Sequence, residues 1–174
     1  YIFLPHFKSV PNLEGYKTSQ VCPFVQGETF YLQSTFNEEI AALENQGTKL
    51  FAPLLDLTTG KEASKDSMIE TAIAMGISKS AAEKAFATAI KSQIECMNEM
   101  QEIGRKTITE LEKDPSKIAV TIFSRPYNGF VEEAHMGIPH KIASRGYLVM
   151  PFDFLPMESE TKEENMFWGM GQRL

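Results

Sequence analysis

The chain predicts an α/β domain built on a mainly parallel sheet. Short apolar runs of strand length recur along it, helix-period stripes separate them, and Gly or Pro marks the joints. The resulting order, β-α-β-α-α-β-α-β, requires crossover connections, and crossovers bring successive strands back parallel with helices on the sheet faces.

Tyr1-Ile2-Phe3-Leu4 has the pattern of a short buried strand stopped by Pro5. From His6 to Gln26 the chain is rich in Pro, Gly, Ser and Asn, which predicts a long ordered loop of the functional or mobile kind. Between Glu28 and about Gln46, Phe30, Leu32, Phe36, Ile40 and Leu43 form a helix-period stripe, with Gly47 as its stop. Lys49 to Leu55 is the second strand. A helical insertion over about residues 61–115 follows. Ser67-Met68-Ile69-Glu70 and Ser80-Ala81-Ala82-Glu83 both match the capping box. The second helix, Ala81 to about Lys113, would reach roughly 50 Å at the ordinary helical rise. A compact layer needs less, so this helix is expected to project or bend, with Gly104 as its weak point.

Asp114-Pro115 ends that helix, and Ile118 to Phe123 is the clearest buried-strand pattern of the chain. Asn128-Gly129 reads as a turn. Glu132 to Ser144 reads as a helix interrupted by Pro139 and closed by Gly146, and Tyr147 to Phe152 as a fourth strand. Residues 1–174 are thus expected to be a single α/β domain. No Met opens the chain and it ends at Gln172-Arg173-Leu174 inside a helix-like pattern, as expected of a piece of a larger protein.

Composition narrows the function classes. A net charge of −6 argues against a general nucleic-acid binder, because neutralising phosphates needs a basic face. Thr71 to Glu83 does have a helix-turn-helix cadence, with Lys79, Lys84 and Lys91 nearby. Glu83 and Glu95 share that helix, however, and it is too long for a recognition helix. No run approaches the roughly 20 apolar residues that span a bilayer. Tyr1 opens on a strand-like run, so no signal peptide is expected, and two cysteines do not make a disulfide scaffold; a cytosolic setting follows. P-loop, dinucleotide-fingerprint, nucleophile-elbow and zinc-helix motifs are all absent.

Ligands of open parallel sheets bind beyond the carboxyl ends of the strands, and three such ends are polar here. Ser124-Arg125-Pro126-Tyr127-Asn128-Gly129 follows the third strand. Pro126 holds Arg125 extended, and a guanidinium fork suits a phosphate or carboxylate. Phe152-Asp153-Phe154 follows the fourth strand, and Arg125 could equally pair with Asp153 to fix the two loops. The first strand leads to Val21-Cys22-Pro23, where a thiolate is a soft metal ligand. Cys96, inside the long helix, reads as a small buried hydrophobe, and His6, His135 and His140 are too scattered for zinc.

Phe3-Leu4-Pro5, Val21-Cys22-Pro23-Phe24-Val25-Gln26, Arg125-Pro126-Tyr127-Asn128, Gly137-Ile138-Pro139, Asp153-Phe154-Leu155-Pro156, Asn165-Met166 and Trp168-Gly169 with Gly171-Gln172 occur in that order. Together they resemble the dehydratase-related region of activase-type proteins akin to 2-hydroxyglutaryl-CoA dehydratase and its activator. The resemblance spans nearly the whole chain, with little contribution from residues 61–115. It implies Rossmann-like subdomains beside an actin-like ATPase module. It also implies ATP-driven, low-potential electron transfer through a [4Fe-4S] cluster to an acyl-CoA dehydratase, with Cys22 in the place of a cluster thiolate. The other cysteines of such a set are absent, so the cluster is expected in the intact protein and not in this segment, which by itself is expected to be inactive. Arg125, Tyr127, Asn128 and Asp153 would line the crevice. The alternative is a non-catalytic docking domain whose long helix carries exposed Met and Ile side chains.

Overall fold

Pro5 and Pro53 divide one parallel ladder into two short ones. In the computed structural model, which describes residues 1–11 and 18–156, β1 (Ile2–Phe3) pairs with β3 (Leu50–Phe51). Beyond the prolines, β2 (His6–Ser9) pairs with β4 (Leu54–Asp56), again parallel. The amides of Ile2, Leu4 and His6 donate in turn to the carbonyls of Lys49, Phe51 and Pro53. Pro5 falls between these donors, on the side that needs no N–H. Continuing the ladder would place the residue-53 amide on the Leu4 carbonyl, but proline has none. The hydroxyl of Thr29, buried on α1 (Pro23–Thr35), takes its place and donates to the Leu4 and Pro5 carbonyls at 3.3 Å each.

The expected loop from His6 to Gln26 is therefore partly strand. β2 also bridges Gln20 antiparallel through Ser9, and the helix starts at Pro23, five residues before Glu28. Asn12 to Lys17 lie outside the described residues. Pro at the first helical position costs no hydrogen bond, which sets the early start. The predicted stripe from Glu28 to Gln46 is two helices, since the chain breaks at Phe36 before α2 (Asn37–Asn45). Gly47 ends α2 as predicted. Its φ is +91°, and the Gly47 and Thr48 amides close on the Glu44 and Leu43 carbonyls in a Schellman pattern.

A 3-10 turn over Lys61–Ser64 leads into α3 (Lys65–Ala74), and α4 runs unbroken over the 35 residues Lys79–Lys113. The capping boxes are displaced. Ser67 lies inside α3, and Ser78, just before α4, accepts the Ala81 amide on its Oγ at 3.3 Å. Leu55, Ile69 and Ala82 are buried apolar residues of the first of two compact units, which contains Tyr1–Lys91.

The second unit starts at Ser92. In it β5 (Ala119–Ile122) pairs parallel with β6 (Leu148–Pro151), where Met150 is buried. The β5 edge is more open than its apolar run predicts, with Ile118 and Phe123 more than half exposed. Between the strands lie α5 (Pro126–Gly129), α6 (Glu132–His135) and α7 (Ile138–Ala143). The expected Asn128-Gly129 turn is thus the end of a one-turn helix. The break in the next helix falls at Met136-Gly137 and not at Pro139, which sits in the first turn of α7, where proline is tolerated. Gly104 continues α4 without interruption. A Cβ there would overlap the Phe154 carbonyl oxygen in the 3-10 turn Phe152–Phe154, so this glycine serves close packing.

All three strand pairs are parallel, as the crossovers predict, and the class is mixed α/β. Among the described residues the pairs are not joined into one continuous sheet.

Candidate functional site

The second unit brings two of the predicted strand ends together. Arg125 lies three residues beyond β5 and Asp153 two beyond β6, on adjacent parallel strands. Phe123 and Phe152, one from each connection, stack with ring centroids 6.0 Å apart. The Arg125 carbonyl accepts the Asn128 and Gly129 amides at 2.9 and 3.0 Å, which winds α5 directly onto the end of β5. Gly129 is buried, and a Cβ on it would overlap the Ser124 hydroxyl; only glycine lets α5 close this tightly. Arg125 is half-buried, whereas Tyr127, Asn128 and Asp153 are exposed.

Asp153 is exposed as a residue, but its carboxyl is partly shielded, and that desolvation raises it above the ordinary carboxylate range. A guanidinium partner would push it the other way. The stacked phenylalanines and the α5 turn hold the two connections together. The arrangement can present a guanidinium, a phenol, an amide and a readily protonated carboxyl to an anionic or hydrogen-bonding ligand.

The first unit ends its strands differently. Asp56 closes β4, and its Oδ2 meets Lys8 Nζ at 2.7 Å. Its Oδ1 accepts from Ser9 Oγ at 2.6 Å and from the Thr58 hydroxyl and amide at 2.6 and 3.1 Å. The Lys8 ammonium first, then the Ser9 and Thr58 donors, hold the Asp56 carboxyl far below the usual range, against a smaller opposing effect of burial. Sequence reading missed this constellation because Lys8 and Ser9 fell in a stretch read as loop. Asp56-Leu57-Thr58 directly after a strand was the available signal, a carboxylate poised to bond the amide two residues on.

Cys22 also belongs to the first unit, as the N-cap residue of α1 and half-buried. Pro23 opens the helix, the Cys22 carbonyl accepts the Gln26 amide at 3.0 Å, and the first turn holds no acidic residue. Cys22 thus stands at the positive end of the α1 dipole. Cys96, expected to be buried, is exposed on α4. No three His, Cys, Asp or Glu side chains converge to hold a metal among the described residues. No helix of the described residues is long and apolar enough to cross a membrane. The 165–172 part of the resemblance lies outside the described residues.

No curated protein and no solved structure matches the chain. A family model does, over residues 1–155, described as the CoA enzyme activase uncharacterised domain. With nearly the whole chain inside that match, the protein belongs to the CoA enzyme activase uncharacterised domain family.

Proposed function

We propose that this domain serves a CoA-enzyme activase by contributing the Cys22 thiolate to an iron–sulfur site completed by other parts of the assembly. The site would support ATP-driven, low-potential electron transfer from an actin-like ATPase module toward a 2-hydroxyacyl-CoA dehydratase-like partner. The observation that carries this is Cys22 at the N-terminus of α1, whose first turn holds no acidic residue, in a chain of the activase family. The described residues do not by themselves fit a whole cluster, which takes four thiolates where this chain has two cysteines, Cys96 being exposed on α4. The domain's own part is to hold one ligand at a helix terminus. Arg125, Tyr127, Asn128 and Asp153 would then receive an acidic or phosphate-bearing ligand at strand ends that we read as part of a Rossmann-like frame.

Iron and acid-labile sulfide in the anaerobically purified parent protein, compared with its Cys22→Ser variant, test the reading. We expect cluster content in the parent to be lost or altered in the variant. A cluster indifferent to the substitution makes Cys22 structural.

A second reading is a docking domain of the same protein. It draws support from apolar side chains on exposed helix faces: Phe24, Phe30 and Tyr31 of α1 are 87%, 62% and 67% exposed, and Ile94, Met97 and Ile103 of α4 are also open. Absence of cluster from both parent and variant favours it.

A further inference from the structure

We propose that His135 is a pH-operated latch on the joint between α6 and α7. Two consecutive left-handed residues make this joint, Met136 at φ +52° and Gly137 at φ +71°. Among the described residues Met136 is the one non-glycine residue at positive φ, a conformation that L side chains occupy at a cost. Two side chains brace it. His135 Nδ1 accepts the Gly137 amide at 2.9 Å, and Lys141 Nζ donates to the Met136 carbonyl at 3.0 Å.

A ring nitrogen accepts a hydrogen bond only while it carries no proton. The latch therefore needs neutral His135 with its proton on Nε2. Protonation places an Nδ1–H against the Gly137 N–H, and the brace becomes a donor–donor clash. The His140 ring stands edge-on with its centroid 6.3 Å from that of His135, so acid also sets two imidazolium rings against each other. The remaining ionisable groups on the packed elements are Glu132 and Glu133 of α6, Lys141 of α7 and Tyr127 of α5; β6, against α7, carries none. Since α5 packs on α6, opening the joint frees the element beside Tyr127 and Asn128. The latch stands independently of the electron-transfer reading.

Heteronuclear NMR of the isotopically labelled chain, from about pH 8 to about pH 5, tests it across the histidine range. His135 should show the Nε2–H tautomer at the upper end. Gly137 amide protection, corrected for intrinsic exchange, should fall about fivefold as His135 protonates, the ratio that one ordinary hydrogen bond supports. His135→Asn keeps an acceptor oxygen at the same bond separation and does not titrate, so protection should persist across the range. His140→Gln should leave the Gly137 response in place. An Nδ1–H tautomer in the unsubstituted chain, pH-independent protection, or a response that vanishes in His140→Gln would overturn the latch; the tautomer decides even where a variant fails to fold.

Discussion

Two aspartates close two parallel strand pairs in this protein, and their surroundings are opposite. Asp56 ends β4 with every bond made: Lys8, Ser9 and Thr58 converge on it and its proton is held far less tightly than usual. Asp153 follows β6 with desolvation as the force on its carboxyl, and its proton is held more tightly. The same place in the local topology thus yields a structural anchor in one unit and a chemically unsettled group in the other. Perturbed carboxyls without compensating donors are where binding and proton chemistry are sought, so Asp153 is the better ligand candidate and Asp56 the better stability determinant.

Breaking the anchor should have the largest effect. Asp56→Ala removes the acceptor shared by the fully buried Ser9 hydroxyl, which keeps the Thr58 hydroxyl as partner, and by the Thr58 amide and hydroxyl, and leaves Lys8 to water. It should lower unfolding stability by about 2 kcal/mol in denaturant titration. Asp153→Asn removes a desolvated charge and should leave stability within about 0.5 kcal/mol of the parent. Equal losses from the two substitutions would erase the distinction drawn between the strand ends.

Gly104→Ala probes the packing under the Asp153 turn. In an exposed helix that change stabilises by roughly 1 kcal/mol. Here the new methyl meets the Phe154 backbone, so the sign should reverse to a loss of about 2 kcal/mol. Thermal unfolding reads the sign directly, and a stabilised variant would show that α4 and the Phe152–Phe154 turn do not pack this closely.

The pH dependence should separate the aspartates as well. The folded-state pKa of Asp56 lies below its unfolded value. Its contribution is therefore present above about pH 4, the unfolded carboxylate range, and is lost as pH falls toward the folded value. Asp153 is shifted the other way, so its burial penalty is absent below that range and complete once pH exceeds the raised value. Acid unfolding of Asp56→Asn should have a shallower acid limb than the parent. Carboxyl NMR titration should place Asp153 above Asp56.

The smallest expected effect concerns ligand recognition. Arg125→Lys keeps the charge but loses the planar fork, and should weaken an anionic ligand by up to about tenfold with little change in folding. Titration with inorganic phosphate or a carboxylate, monitored at the Arg125 and Tyr127 amides, reads this; unchanged affinity would remove Arg125 from the site.

Much of the architecture was legible locally. Gly47 and Gly146 stop their helices where predicted, Asp114-Pro115 ends α4, the run Lys49 to Leu55 holds β3 and most of β4, which extends to Asp56, and β6 lies inside the run Tyr147 to Phe152. The errors were local conflicts resolved from afar. Pro5 reads as a strand stop, yet the strand resumes at His6 because the ladder to β4 tolerates proline on its unbonded side. Cys96 sits on an apolar-looking helix and is exposed, because its face of α4 is not covered.

Sequence alone determined the alternation of strand and helix blocks and the parallel sense of the strand pairs, since hydrophobic period, stop signals and crossover handedness are short-range properties. The identity of the anchor was decided only by tertiary structure. Lys8 and Asp56 are 48 positions apart, and Gly104 meets Phe154 across a similar separation. Which aspartate is satisfied and which is left desolvated depends on donors delivered by distant strands, and no local pattern encodes where those donors arrive.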